Sequence, residues 1–360
     1  MILRKTRANF RASCDIGKRR EISYLRNGFP DSQRCSEAVV PTFVGHGAPR
    51  QSVFQSGKLV SMDPASERAV DRLMSPFFMA IVLFLAAERS TRAADDFPPI
   101  RINYLAYPVE WNGKPILIGA RLQTPLKTTG KLPAVIILHG TAGVRYVGAY
   151  YATALNGAGI ATLEIDQWGG RGLPGGASSR PKHLGDNLPD VAGAYNLLAA
   201  RSDIDATRVG LMGSSMGGIE TLLMMTRHSS DAVLGKGVHF RAAAALYPIC
   251  SLYNHVPDAD FADLVNAPVR ILVGTEDDYD GGAGACEAMV HDLSPTDAAH
   301  VSLHVFPGAT HIFDDFVRAF EYPDPAANRR QGGMIHVRPS PEARQQARDD
   351  LVRFFSDELK

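Results

Sequence analysis

Val209 to Gly218 reads VGLMGSSMGG. An apolar run stops on a glycine, two adjacent serines follow, and a pair of glycines closes the stretch. The segment RVGLMG has the composition of a buried strand. SMGGIETLL opens a helix, with Ile219, Leu222 and Leu223 on one face. Gly213-Ser214-Ser215-Met216-Gly217 therefore fits G-x-S-x-G in the strand–turn–helix setting that this motif needs. Such a turn is sharp and lifts its central serine over the carboxyl edge of a sheet. The central residue is Ser215. Ser214 occupies the variable position and reads as a packing residue. The competing reading is a Gly/Ser turn without chemistry.

Outward from this turn, the chain alternates strands and helices. IRINYLAY and KPILIGARL form an opening hairpin around Asn112-Gly113. PAVIILHG, GIATLEID, RVGLMG, RAAAALYP, VRILVGT and VSLHVFPG follow as strands, the later ones nearly continuous apolar runs, as in parallel strands buried on both faces. Val191, Ala194, Tyr195 and Leu198 mark a helix over Leu188 to Ala200. In the last helix Ser340 is the N-cap, Pro341 lies in the first turn, and Ala347, Leu351, Phe354 and Phe355 form the apolar stripe. This alternation predicts an α/β fold: a mostly parallel, doubly wound sheet of about eight strands with helices on both faces.

A serine hydroxyl needs a base, and the base an orienting acid. After Ser215, the strand VRILVGT ends in Glu276, Asp277, Asp278 and Asp280. The strand VSLHVFPG ends in ATHIFDD, with His311 on the loop. The other histidines fit the role less well. His304 lies within a strand, His291 and His300 flank a helix, and His139 precedes the serine. Ser215, Asp277 and His311 can meet at one sheet edge. The oxyanion formed on attack needs two fixed N–H donors. Met216 supplies one, and Thr141, in the loop LHGTAG, supplies the other. Trp168 and Arg171 are candidate substrate contacts, and Tyr146 and Phe313 could line an apolar pocket. Gly170 to Gly175 matches G-x-G-x-x-G, but Pro174 and the polar residues after it do not open a helix, which excludes a dinucleotide site.

The chain has 360 residues and a formal net charge of zero, so no overall basic field holds nucleic acid. Residues 1–73 carry 13 Lys/Arg against 7 Asp/Glu and lack apolar periodicity; they read as a disordered leader. A nucleic-acid arm would want interleaved aromatics, and none occur in that pattern. Arg68 and Arg72 then precede an apolar run of 12 residues, Pro76 to Ala87, with small residues around Ala93 and Ala94. This is the order of a secretory signal peptide over 74–94. A short membrane anchor or a buried helix is the alternative. Because a signal peptide does not normally follow a long leader, translation is expected to begin at Met62 or Met74. The catalytic domain is then 95–360, exported to a periplasm or the outside, with no stable membrane span after cleavage. Of four cysteines, Cys250 and Cys286 fall in that domain, and an oxidising compartment permits a disulfide between them. No metal-binding spacing occurs, and no cofactor is implied.

Taken together, LHGTAG, EIDQWGGRGL, GSSMGG, LVGTEDDYDGGAGACEAM and PGATHIFDD resemble, in order, landmarks of the dienelactone hydrolase branch of the α/β-hydrolases. The resemblance covers roughly residues 99–360. RQGGMIHVRPSPEARQQARDDLVRFF is similar to the tail of bacterial members. The resemblance implies that Asp277, third after Gly274, is the acid of the triad. The archetype uses cysteine where this chain has Ser215, and Gly281 stands where a proline is expected. The expected function is hydrolysis of a small carboxylic ester or related acyl compound through an acyl-enzyme. A serine peptidase of the oligopeptidase type and a non-catalytic binding protein on the same fold are the alternatives.

Overall fold

Asn112 and Gly113, both at positive φ (52° and 72°), turn the chain between β1 (Ile100–Trp111) and β2 (Lys114–Pro125), which pair antiparallel along their whole length. The computed structural model describes residues 99–126 and 129–360. The segments read from the sequence as a leader (1–73) and a signal peptide (74–94) lie outside the described residues. After the hairpin come β3 (Leu132–Leu138), α1 (Tyr146–Gly157), β4 (Ala161–Asp166), α2 (Leu188–Ala199), β5 (Ile204–Ser214), α3 (Met216–Leu223), α4 (Arg227–Leu234) and β6 (Ala243–Leu246). β7 (Val269–Glu276), α5 (Gly284–His291), β8 (Val301–Thr310), β9 (Phe320–Asp324), β10 (Gly333–Val337) and α6 (Pro341–Glu358) complete it.

Eight strands form one sheet in the order β1-β2-β4-β3-β5-β6-β7-β8. From β4 to β8 neighbours are parallel; β1 and β2 are antiparallel additions at one edge. This is the α/β-hydrolase architecture. The chain leaves β3 toward β4 on one side and returns to β5 on the other. Such a reversal opens a crevice at the carboxyl ends of the strands. The loop after β3 and the turn after β5 both end at that crevice.

Each face of the sheet is covered by helices. Val191, Ala194 and Leu198 of α2 pack with Ile136, Leu211 and Leu222 on one side. Tyr151 and Leu155 of α1, with Leu351, Phe354 and Phe355 of α6, pack on Val135, Met212 and Leu246 on the other. A fully buried Leu or Phe side chain stabilises by about 1.5–3 kcal/mol relative to exposure, so the α6 stripe is a major anchor of the second layer. Ser340 Oγ accepts the Ala343 N–H and Pro341 starts the helix, as the sequence predicts. The antiparallel hairpin β9–β10 was not expected from the sequence. Its strands have five residues each, and Pro323 interrupts the β pattern of one of them. Among the described residues, no helix is long and apolar enough to cross a membrane.

Candidate active site

Ser215 stands between the end of β5 and the start of α3 with φ 53° and ψ −115°, a conformation that strains any residue but glycine. The surroundings hold it there. Its N–H donates to the Leu246 carbonyl (2.9 Å), and its own carbonyl accepts from Ile219 N–H (2.9 Å). The flanking glycines are a packing requirement. A Cβ on Gly217 would stand 2.7 Å from the carbonyl oxygens of Leu138 and His139, and one on Gly213 would overlap the Gly217 carbonyl.

His311, on the loop after β8, brings Nε2 to 2.9 Å from Ser215 Oγ and Nδ1 to 2.8 Å from Asp277 Oδ2. All three side chains are buried. With the proton on Nδ1 shared with Asp277, the Nε2 lone pair faces the serine hydroxyl. Asp277 is itself held, its Oδ1 accepting the Tyr279 N–H at 3.0 Å and its carbonyl the Gly282 N–H at 2.8 Å. The rings of Tyr247 and Tyr279 stand against the imidazole, with centroids 4.9 and 4.4 Å away. Gly281 has φ 68°, which a proline, locked near −65°, could not adopt.

The four acidic residues after β7 separate into different tasks. Asp277 faces His311. Asp278 Oδ2 accepts the His336 backbone N–H (2.7 Å) and fastens β10. Glu276 pairs with Arg338 at the surface (3.0 Å). Asp280 accepts the N–H groups of Cys250 (2.6 Å) and Ser251 (3.2 Å). Cys250 and Cys286 are disulfide-bonded, their Cα atoms 5.0 Å apart. Among the described residues the group with metal-ligand proximity is Cys250, Asp280 and Cys286, whose sulfurs are bonded to each other.

Met216 is the first residue of α3, so its N–H has no acceptor within the helix. The Gly140 carbonyl accepts from Gly143 N–H (3.0 Å) and from His139 Nδ1 (2.8 Å). In a trans peptide this leaves the Thr141 N–H on the opposite side, away from both donors. The Thr141 carbonyl is gripped by Gly176 N–H (2.9 Å) and Trp168 Nε1 (3.0 Å). His139 is kept neutral, its pKa lowered by burial, and its Nε2 accepts the Gln167 N–H (3.1 Å). Gln167 and Asn187 in turn donate to Glu220 of α3 (2.8 and 3.0 Å). Burial pushes Glu220 up to about 7. One buried network thus ties the elbow helix to the loop that carries Thr141.

Trp168 and Arg171 are corrections to the sequence reading, because neither lines the cavity above Ser215. Trp168 is buried against His139, with ring centroids 5.1 Å apart, and braces the Thr141 loop. Arg171 is buried in an ion pair with Asp190 (2.7 Å), which leaves no charge for a substrate. Phe313 is core and Tyr146 is 66% exposed. The cavity measures about 320 Å³ and is lined by Ser215, Arg145, Arg180, Tyr247, Tyr279 and Phe320 among others. Arg180 makes a two-pronged pair with Asp324, and Arg145 pairs with Asp315 (2.8 Å). The sequence reading missed these residues and the β9 wall, because each depends on contacts between distant segments. Gly170–Gly175 runs from a one-turn 3-10 helix (Gly169–Arg171) into a loop, and no α-helix starts there before Leu188.

The sequence model of the Dienelactone hydrolase family matches residues 118–337. A Mycobacterium tuberculosis protein, known only as an uncharacterized protein, is 30% identical over 161 residues, 43% of this chain. The chain spans 56% of that relative's length. The solved esterase of Pyrobaculum calidifontis is 15% identical, with a TM-score of 0.52 over 82% of this chain and 99% of its own. A dienelactone hydrolase-like promiscuous phosphotriesterase from metagenomic libraries is 17% identical, with a TM-score of 0.51 over 72% of this chain and 98% of its own. At these identities the two structures share the fold.

Proposed function

The chain belongs to the dienelactone hydrolase family, and from this premise we propose that it hydrolyses ester bonds, with Ser215, His311 and Asp277 cleaving a small carboxylic ester through a covalent acyl-enzyme. Ser215 Oγ attacks the ester carbonyl while its proton passes to His311 Nε2. Asp277 orients the ring and stabilises the imidazolium. The N–H groups of Met216 and Thr141 receive the oxyanion. As the tetrahedral intermediate collapses, His311 protonates the departing alkoxide, and the alcohol leaves. Water then attacks the acyl-enzyme, giving up its proton to His311, and the acid and free Ser215 Oγ–H are regenerated. The observation that carries this reading is the unbroken relay of 2.9 and 2.8 Å bonds from Ser215 to Asp277 at a cavity. A serine in place of the archetype's cysteine speaks against dienelactone itself as the substrate.

A fluorophosphonate probe is expected to label the folded protein once, on Ser215. A panel of p-nitrophenyl esters beside aminoacyl p-nitroanilides is expected to show turnover of the esters. Turnover of the anilides alone would shift the reading to a peptidase. A folded protein that is neither labelled nor active would be a binding protein on this fold.

Export belongs to the same reading, with residues 74–94 as a signal peptide and 95–360 as the catalytic domain. The basic, apolar and small-residue order before Asp95 supports it. So does the Cys250–Cys286 disulfide, which suits an oxidising compartment. Intact mass of protein from its native host, with and without reduction and alkylation, is expected to give a chain beginning near Ala94 or Asp95 that takes up label on two thiols only after reduction. The bond closes a 36-residue separation, worth about 4 kcal/mol in the chain-entropy view. A chain retaining Met1, or free thiols before reduction, would overturn export or the bond respectively.

A further inference from the structure

The cavity does not end at Ser215. It continues along one face of the sheet, between Ile137, Met212 and Leu246 of the strands and Val147 and Tyr151 of α1. Met212 lies three residues before Ser215, so this arm descends roughly 10 Å below the nucleophile at the rise of a strand. Ile137 is paired with Met212 on one side and with Glu164 on the other, which brings Glu164 to the same depth. Glu164 also lines the cavity and is 3% exposed.

Only one of its oxygens is spoken for. Arg121 Nη2 donates to Oε2 at 2.5 Å. Oε1 has no hydrogen-bond partner among the described residues. It lies against Gly148 of α1, another cavity residue, where a Cβ would overlap it. The missing side chain at 148 is therefore what makes room for this oxygen. Glu164 and Ser215 line the same cavity, so the open space beside this side chain leads to the nucleophile.

The order of product release decides which half of the substrate fills the arm. The alcohol leaves while the acyl group is still bonded to Ser215. Ile137, Met212 and Glu164 line the arm and are themselves buried, and an alcohol lodged among them would leave toward the cavity mouth past the acyl group on Ser215. We propose that the arm takes the acyl group of an apolar-chain ester whose far end carries a hydrogen-bond donor, a hydroxyl or an ammonium, seated on Glu164 Oε1. This rests on the reading of Ser215 as the nucleophile.

The test compares p-nitrophenyl hexanoate, ω-hydroxyhexanoate and ω-aminohexanoate, with the acetate as reference. The readout is the ratio of kcat/KM between esters on one sample, which cancels any loss of folded protein. The wild type is expected to favour at least one donor-bearing ester over hexanoate by about tenfold or more, as a hydrogen bond to a charged group implies. Glu164→Met is expected to abolish that preference. Glu164→Gln is expected to keep part of a hydroxyl preference, through its amide oxygen, and to lose an ammonium preference. Acetate turnover without a donor preference, or a preference that survives Glu164→Met, overturns the inference and leaves the esterase reading standing. Absence of all ester turnover, with Ser215 unlabelled, overturns both.

Discussion

Ser215→Ala is expected to lower kcat for ester hydrolysis by roughly a millionfold, the scale at which removing the nucleophile of a serine triad leaves only binding and the oxyanion donors. Ser214→Ala is expected to keep most of the activity. The two serines are neighbours in sequence but sit in different backbone environments. Ser214 is the last residue of β5 and pairs in register with Leu246 of β6. Ser215 is thrown into the positive-φ turn and presents its hydroxyl to His311 at 2.9 Å. Steady-state turnover of p-nitrophenyl acetate, with the mass of the phosphonate adduct, separates the two. An inactive Ser214→Ala beside an active Ser215→Ala would show that the turn has been read one residue out of place.

The second large effect is expected at the acid. Asp277→Asn should reduce kcat by about ten-thousandfold, the loss seen when the triad carboxylate becomes an amide with its geometry intact. The amide can donate to Nδ1, which favours the tautomer whose Nε2 already carries a proton and cannot accept that of Ser215. It also withdraws the charge that stabilises the imidazolium. Asp278→Asn should cost far less. That side chain accepts the His336 N–H and fastens the hairpin, and an amide oxygen can still accept there. The comparison is made on kcat at saturating ester. Equal losses at both positions would mean that the acidic cluster acts as a unit and that the assignment to Asp277 is wrong.

Much of this fold was legible in the chain because the signals are local. A strand buried on both faces must be largely apolar: β3 and β6 are so throughout, and the C-terminal half of β5 and most of β7 are as well. The G-x-S-x-G turn declares itself because only glycines tolerate the carbonyls that crowd positions 213 and 217. Ser340 and Pro341 announce α6 through capping chemistry that needs no partner elsewhere. The β9–β10 hairpin lacked such a signal. Two five-residue strands, one with a proline, are held by Asp278, Arg180 and the Tyr279 hydroxyl rather than by their own pattern.

The sequence by itself determined the order of Ser215, Asp277 and His311 along the chain, and the sheet edge on which they meet, because strand order and loop position constrain backbone. Spacing alone left four carboxylates open after β7 and the family resemblance pointed to Asp277; the tertiary structure turns Asp277 to His311 and Asp278 to the hairpin. The sequence could not separate Trp168 and Arg171, a brace and a buried ion pair, from the residues that line the cavity. Nor could it foresee that Gly148 makes room for one oxygen of Glu164. The reason is physical. Backbone preferences are written within a few residues of one another, whereas the direction of a side chain and the space beside it are set by neighbours that arrive from elsewhere in the chain.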